Sequence, residues 1–189
     1  MKNKCRCFCV AVVIVMLQGC DMQDKPSSSI HPQNIADALY AVMEANRTVY
    51  AKIIVNRLVN EEKVIEASEH WRDDRALPLP AQMFRLATEQ AEENGAPFSS
   101  TLLSSWPINK KNAPKTQAEE EGLKFIVENP GQNFYTEETL GGQRYFTAIY
   151  PDAAVAKACV SCHNDHQDSP KSDFDIGDVM GGIVIRFPI

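Results

Sequence analysis

The residues with the clearest chemical potential are two cysteines and a histidine near the C-terminus. Cys159 and Cys162 are separated by two residues, and His163 follows the second cysteine directly. In this C-x-x-C-H arrangement each thiol can form a thioether with one vinyl group of a haem, and the adjacent imidazole can coordinate the iron. The sequence therefore predicts one covalent c-type haem, with Cys159 and Cys162 as the thioether residues and His163 as the proximal iron ligand.

Three other chemistries use similar residues, and each fits the surrounding sequence less well. A thioredoxin-type dithiol sits after a strand in a βαβ pattern, which does not precede Cys159. A zinc site made from the motif and His166 lacks the loop that separates cysteine and histidine pairs in such sites. A disulfide between Cys159 and Cys162 would close too small a ring to constrain the chain much. Haem attachment is the favoured interpretation.

The N-terminus has the pattern of an export signal. Residues 1–6 are rich in basic side chains, residues 7–17 form an unbroken apolar run, and Cys20 follows shortly after. The run is too short to be a comfortable transmembrane span. Residues 17–20 resemble the lipobox of bacterial lipoproteins, with Gln18 in place of the usual small residue. We expect cleavage before Cys20 and acylation of this cysteine, with ordinary cleavage without acylation as the alternative.

Export and haem attachment support each other, because c-type haem is attached outside the cytoplasm. We expect the protein on the periplasmic side of a bacterial membrane, held there by the lipid on Cys20. Asp21 directly after this cysteine favours the inner membrane. The predicted organisation is a signal peptide at residues 1–19, a lipidated cysteine and flexible tether at residues 20–32, and one haem-binding domain at residues 33–189.

The charge of the chain narrows the range of partners. The formal net charge of the 189 residues is −6, and it becomes −9 without residues 1–19, which carry three basic and no acidic side chains. An acidic surface repels phosphate backbones and anionic lipid headgroups. The composition therefore argues against nucleic acid as a partner and leaves the lipid as the expected link to the membrane.

Helical periodicity dominates the N-terminal half. Residues 33–60 carry apolar side chains at helical spacing, which predicts one long helix. A second helix is predicted from Pro80 to Asn94, because proline suits the first helical position and Gly95 suits the C-terminal cap. The expected inward face of this second helix consists of Met83, Phe84, Leu86 and Ala87.

The C-terminal half is predicted to be mostly strands. Residues 98–106, 133–139, 144–150 and 182–187 are the candidate strands, and Gly141-Gly142 joins the middle two as a hairpin. Thr116 and Glu119 form a capping box that begins a third helix, which ends before the sequence Asn129-Pro130-Gly131. Helices beside a mostly antiparallel sheet indicate an α+β fold.

Longer stretches of the chain resemble the Tll-like haem-c binding domain family. The resemblance is carried by residues 159–171, 177–182, 77–84 and 103–114, and it extends over nearly all of residues 35–189. It implies a PAS-like fold with long N-terminal helices packed beside an antiparallel sheet, and a haem in the pocket between them. Members of this family are free-standing cytochromes or the sensory ends of signalling proteins.

The second axial ligand of the iron stays open at this point. Some members of the family supply a cysteine from the N-terminal helical region, but the chain has no cysteine between Cys20 and Cys159. The candidates in this sequence are Met43, His70, Met83 and Met180, and the alternative is an open site. Three cations, Lys171, Arg144 and Arg47, have the chemistry to pair with haem propionates, and the sequence does not choose among them.

Two functions suit an exported haem domain, electron transfer and sensing. An enzyme is the least expected class, because the sequence shows no nucleophile, base or second metal cluster in a supporting context. The chain ends at Ile189 without a kinase, cyclase or methyl-accepting segment after the motif. We therefore expect redox or electron transfer through contact with a protein partner. The alternative is a sensor of redox state or of a small gas ligand that signals through a partner.

Overall fold

The structure is a computed structural model, and it describes residues 31–189. This part of the chain begins with a long helix. The predicted signal peptide, Cys20 and nearly all of the tether lie outside these residues. Helix α1 spans Pro32–Val49 and continues without a break as a π-helical segment, Tyr50–Glu61. The predicted helix over residues 33–60 is confirmed in its extent, but its second half is π-helical, and it buries Ala51 and Val55.

Three longer helices and four short elements make up the rest of the structure outside the main sheet. Helix α3 spans Pro80–Glu93, α4 spans Gln117–Glu128 and α5 spans Lys157–Asp165. The short elements are β1 (Ala67–Ser68), α2 (Trp71–Asp74), β2 (Leu77–Pro78) and a 3₁₀ turn (Lys110–Asn112). Two of them, β1 and β2, pair with each other in parallel. None of the helices within residues 31–189 has both the length and the apolar character needed to span a bilayer.

Four strands form an antiparallel sheet. These strands are β3 (Ser99–Leu103), β4 (Phe134–Leu140), β5 (Gln143–Ala153) and β6 (Val179–Pro188), and their order across the sheet is β3-β6-β5-β4. The predicted α+β fold and the β4-β5 hairpin are confirmed. Gly141 and Gly142 both have positive φ angles, +58° and +85°, which a tight hairpin turn requires. The predicted strand over residues 98–106 is shorter than expected and ends at Leu103, before Trp106.

Side chains alternate along β5 and β6, so both faces of the sheet carry apolar residues. Helices cover each of these two faces. One face packs against α1 and α3 and forms a core of Phe146, Ala148, Tyr150, Ile183, Ile185 and Phe187 with Ala36 and Phe84. The other face packs against α4 and forms a core of Leu103, Ile149 and Val184 with Leu123 and Ile126. The α5 helix lies outside both of these cores.

The inward face of α3 differs from the prediction at one position. Phe84 is buried and Met83 and Leu86 are partly buried, as expected, but Ala87 is exposed. Thr88 is buried instead, because its hydroxyl finds two partners, the carbonyl oxygen of Phe84 at 3.1 Å and the hydroxyl of Ser100 at 3.0 Å. A threonine can occupy a helix core position when the helix itself accepts its hydrogen bond.

Helix α4 lies unusually close to the sheet. A Cβ atom added at Gly182 of β6 would lie 2.9 Å from the Leu123 side chain and 3.0 Å from the side chains of Ile126 and Ile149. A Cβ atom on Gly122 of α4 would overlap the Ile149 side chain. Glycines on both partners therefore permit an approach that any larger side chain would prevent.

A buried ionic network fixes the start of α4 to the sheet. Arg186 of β6 donates to Glu119 at 2.8 Å and to Glu138 at 2.8 Å, and the Thr147 hydroxyl donates to Glu138 at 2.6 Å. The predicted capping box is confirmed, since the Glu119 carboxylate accepts from the backbone N–H of Thr116 at 3.1 Å. Burial alone would raise the pKa of Glu138, but the hydrogen bonds from Thr147 and Arg186 and the Arg186 charge together lower it.

Replacing this arginine provides a test of the network. R186M leaves two carboxylates buried without their cation, so we expect a loss of about 3–5 kcal/mol in the free energy of unfolding at pH 7. Urea unfolding at a series of pH values measures it. Because the folded-state pKa of Glu138 is lowered, its contribution is present above the ordinary value of 4.5 and is lost as the pH falls through the folded-state pKa, so the loss shrinks in acid.

The matched control is R144M on the neighbouring strand β5. Arg144 pairs with Glu137 at 2.6 Å, but both side chains are exposed, so removing the arginine should change the free energy of unfolding by less than about 1 kcal/mol. Equal losses for R186M and R144M would contradict a structural role for the buried network.

Candidate functional site

All three residues of the predicted haem motif lie on α5, in the connection between β5 and β6. Cys159, Cys162 and His163 are spaced i, i+3 and i+4, so a helix places them on one side. Cys159 and His163 are partly buried, Cys162 is exposed, and both thiols are free. The arrangement presents two thiols and an imidazole together at the surface of the domain.

A pair of hydrogen bonds fixes α5 to the chain that follows it. The Asn164 side chain donates to the carbonyl oxygen of Phe174 at 2.9 Å and accepts from the Phe174 backbone N–H at 3.0 Å. Both bonds use the amide of a single residue directly after the motif. The position of His163 is therefore tied to that of Phe174.

Phe174 is the buried residue on which the histidine rests. It is 2% exposed, and its ring meets the His163 ring edge to face, with centroids 6.0 Å apart and an angle of 89°. On its other side it meets Trp106 at 5.7 Å and 76°. The Lys171 ammonium lies 4.8 Å from the centroid of the Phe174 ring. These contacts hold the Phe174 ring in place beside the imidazole of His163.

Met180 packs in the same cluster as the first cysteine. The buried residues Ala154, Phe174 and Met180 form this small core, and Trp106, Cys159 and Val160 pack against it. The carbonyl oxygen of Met180 accepts from the Ser104 hydroxyl at 2.6 Å. The inner side of α5 is therefore held by β6 and by the segment that follows β3.

The environment of His163 favours a neutral imidazole. Burial lowers the pKa of His163, and the positive charges of Arg47 and His166 lower it further. Its Nδ1 atom is buried and has no hydrogen-bond partner. A neutral imidazole is the form that can coordinate a metal ion.

The position of the motif in the fold differs from that of a thioredoxin-type dithiol. Such a dithiol lies in a βαβ unit, whereas α5 connects the antiparallel strands β5 and β6. Partial burial of the sulfur, with the charges of Cys159, Asp165 and Glu69, raises the pKa of the Cys162 thiol. The topology therefore disfavours the thioredoxin-type interpretation of the motif.

Comparison with known proteins places the chain in a family. The family model described as Tll0287-like matches residues 28–188. The chain belongs to the Tll0287-like family. A solved structure described as the cyanobacterial heme-protein Tll0287 has a similar fold, with a TM-score of 0.53 and 16% sequence identity over 84% of this chain and 96% of that one. No curated protein matches the chain.

The candidates for a second axial ligand occupy different places in this Tll0287-like chain. Met43 and Met83 line one cavity of about 360 Å³ between α1, the π-helical segment and α3, and no residue of the motif lines it. His70 is 72% exposed, and its Nε2 lies 3.4 Å from the carboxylate of Glu69, whose charge acts on the Cys162 thiol. Met180 is the candidate that shares a cluster with the motif.

The three candidate cations also differ in their surroundings. Arg144 lies on an exposed part of the β4-β5 hairpin, paired with Glu137. Lys171 lies over the aromatic rings beside His163. Arg47 is buried and paired with Asp152, and its charge acts on His163. Lys171 therefore contacts the ring on which His163 packs, and Arg47 is held at the end of β5, five residues before α5 begins.

Sequence reasoning missed three residues of this site. Asn164, Phe174 and Asp152 carry no motif of their own, and each acquires its role through a contact across the fold. The one available signal was the position of Asn164 next to the motif, since a polar residue after a helical turn commonly bonds to the backbone.

Proposed function

We propose that this protein is a periplasm-facing c-type haem lipoprotein that transfers electrons. Cys159 and Cys162 form the thioethers, His163 is the proximal iron ligand, and the haem supplies one-electron redox chemistry when bound. The observation that carries the proposal is the placement of these three side chains on one side of a surface helix. Membership of the Tll0287-like family and the similarity in fold to a solved haem protein support it.

The residues present fit a covalent haem. The two sulfurs are free, as thioether formation requires, and the shielded imidazole is held in its neutral form by burial and by Arg47. The ring contact with Phe174 and the hydrogen bonds between Asn164 and Phe174 orient that imidazole before any cofactor binds. Ligation therefore requires little further ordering of the His163 side chain. The site thus contributes orientation and exclusion of water on the inner side of α5.

The exposure of Cys162 supports electron transfer. A haem joined to an exposed residue keeps one edge at the surface, where a partner protein can approach it. The acidic charge of the chain suits a partner with a basic surface, because opposite charges accelerate encounter. The partner is therefore proposed to be a redox protein, and the lipid on Cys20 keeps the domain at the membrane.

Covalent attachment is tested by producing the protein in a bacterial host that matures c-type cytochromes. We expect haem staining that survives denaturing electrophoresis and a reduced pyridine spectrum typical of two thioethers. C159S and C162S should each shift that spectrum, and the double variant should lose the stain. S161A, inside the motif, is the matched control and should keep both signals. Colourless wild-type protein with two alkylatable thiols would overturn the proposal.

Carbon monoxide distinguishes an electron carrier from a gas sensor. A carrier with two protein ligands on its iron should bind carbon monoxide slowly or not at all, because the ligand must first leave. Stopped-flow absorbance of the reduced protein measures this rate. Among H70A, M43A, M83A and M180A, the variant that makes binding fast identifies the second ligand. Rapid binding by the wild type would instead favour the sensor.

Membrane attachment is tested at the predicted lipidation site. C20S should move the protein from the membrane fraction to the soluble periplasmic fraction, because a short tether without its acyl chains has no hydrophobic anchor. Immunoblots of fractionated cells measure the distribution, and an unchanged haem stain shows that the domain itself is intact. Equal amounts of wild type and variant in the membrane fraction would contradict anchoring through Cys20.

A further inference from the structure

Two buried side-chain nitrogen atoms in the described residues lack a hydrogen-bond partner. They are Nε of Arg47 and Nδ1 of His163. The two residues are 116 positions apart in sequence, but their elements meet in the fold, because Arg47 pairs with Asp152 just before α5 and α5 packs against the π-helical segment that continues α1. The positive charge of Arg47 also contributes to the lowered pKa of His163. A buried N–H group without an acceptor is costly and calls for an explanation.

Arg47 is held in place by partners that leave this Nε–H group free. Its Nη1 lies 2.5 Å from Oδ1 of Asp152, and the two side chains are only 11% and 9% exposed. Tyr40, about two helical turns earlier on α1, donates to the carbonyl oxygen of Pro151 at 3.1 Å. Two contacts therefore connect α1 with the end of β5, and the guanidinium cannot turn away into solvent.

A cation fixed in this position affects the redox state of a nearby iron. The ferric iron carries one more positive charge than the ferrous iron, so a buried cation disfavours the ferric state and a buried anion favours it. The effect is larger in the protein interior than in water, because the effective dielectric constant is lower. Arg47 and Asp152 therefore act in opposite directions on the same iron.

We propose that Arg47, positioned by Asp152, is the internal cation of the haem site, which donates from its free Nε–H to a haem propionate and raises the reduction potential. The inference rests on the proposed covalent haem. Arg47 is a positioning residue here, because it acts on the iron through charge rather than by ligation. The planar guanidinium can bind Asp152 through Nη1 and still offer its Nε–H to a second carboxylate.

Potentiometric titration of the holo-protein tests the proposal. R47Q should lower the reduction potential and D152N should raise it, each by about a tenfold change in the ferric-to-ferrous equilibrium, which is about 59 mV for one electron. R47K keeps the charge and should fall between R47Q and the wild type. R144Q, the exposed arginine paired with Glu137, is the matched control and should leave the potential unchanged.

The opposite directions of the two expected potential shifts distinguish an effect of charge from an effect of structural damage. If the pair mattered only for packing, R47Q and D152N would open the site in the same way and shift the potential in the same direction. That result, or an R47Q potential equal to that of R144Q, would overturn the inference. Should R47Q fail to accumulate, R47K and D152N still decide it, since D152N alone must raise the potential.

The haem stain keeps the two proposals apart. A wild-type protein that matures without covalent haem contradicts the proposed function. Variants that stain as strongly as the wild type but share its potential contradict only the role of Arg47. Loss of covalent haem in R47Q with normal staining of R144Q would support the propionate contact, because that contact then contributes to cofactor retention.

Discussion

The antiparallel pairing of β5 and β6 is the constraint on which the rest of the site depends. These two strands are central in the sheet, and the connection between their ends contains α5, Phe174 and the whole motif. Because the strands are paired up to Ala153 and Val179, the two ends of the connection are held side by side. The motif therefore sits on a closed loop, and the hydrogen bonds of Asn164 with Phe174 and the apolar cluster under α5 hold that loop in a defined shape.

The sheet can carry this loop because both of its faces are covered. The apolar faces of α1 and α3 fill one side, and α4 approaches the other closely enough to require glycine at Gly122 and Gly182. The buried Arg186 adds orientation to this contact, since it joins the first turn of α4 to two strands at once. The paired strands and the hydrogen-bonded helix α5 therefore hold Cys159, Cys162 and His163 in fixed positions relative to each other.

Much of this fold could be predicted from local signals. Pro80 and Gly95 bracket α3, Thr116 and Glu119 begin α4, and Gly141-Gly142 makes the hairpin, because each signal acts within a few residues. The π-helical segment was not predictable, since apolar spacing does not distinguish its hydrogen-bond pattern from that of an α-helix. The Arg47 and Asp152 pair was also hidden, because it joins residues that only the finished fold brings together. The spacing of the motif, by contrast, was visible in the sequence alone.

The salt bridge of Arg47 with Asp152 joins a helix to a sheet, and this has a mechanical consequence. Arg47 travels with α1, whereas Asp152 and the motif travel with β5 and the loop that follows it. A slide of α1 by a single residue, about 1.5 Å along its axis, would pull the guanidinium away from its carboxylate and from the imidazole. Tension or pressure on the N-terminal helix would thus be transmitted to the end of the molecule that carries the C-x-x-C-H motif, as a change in local electric field.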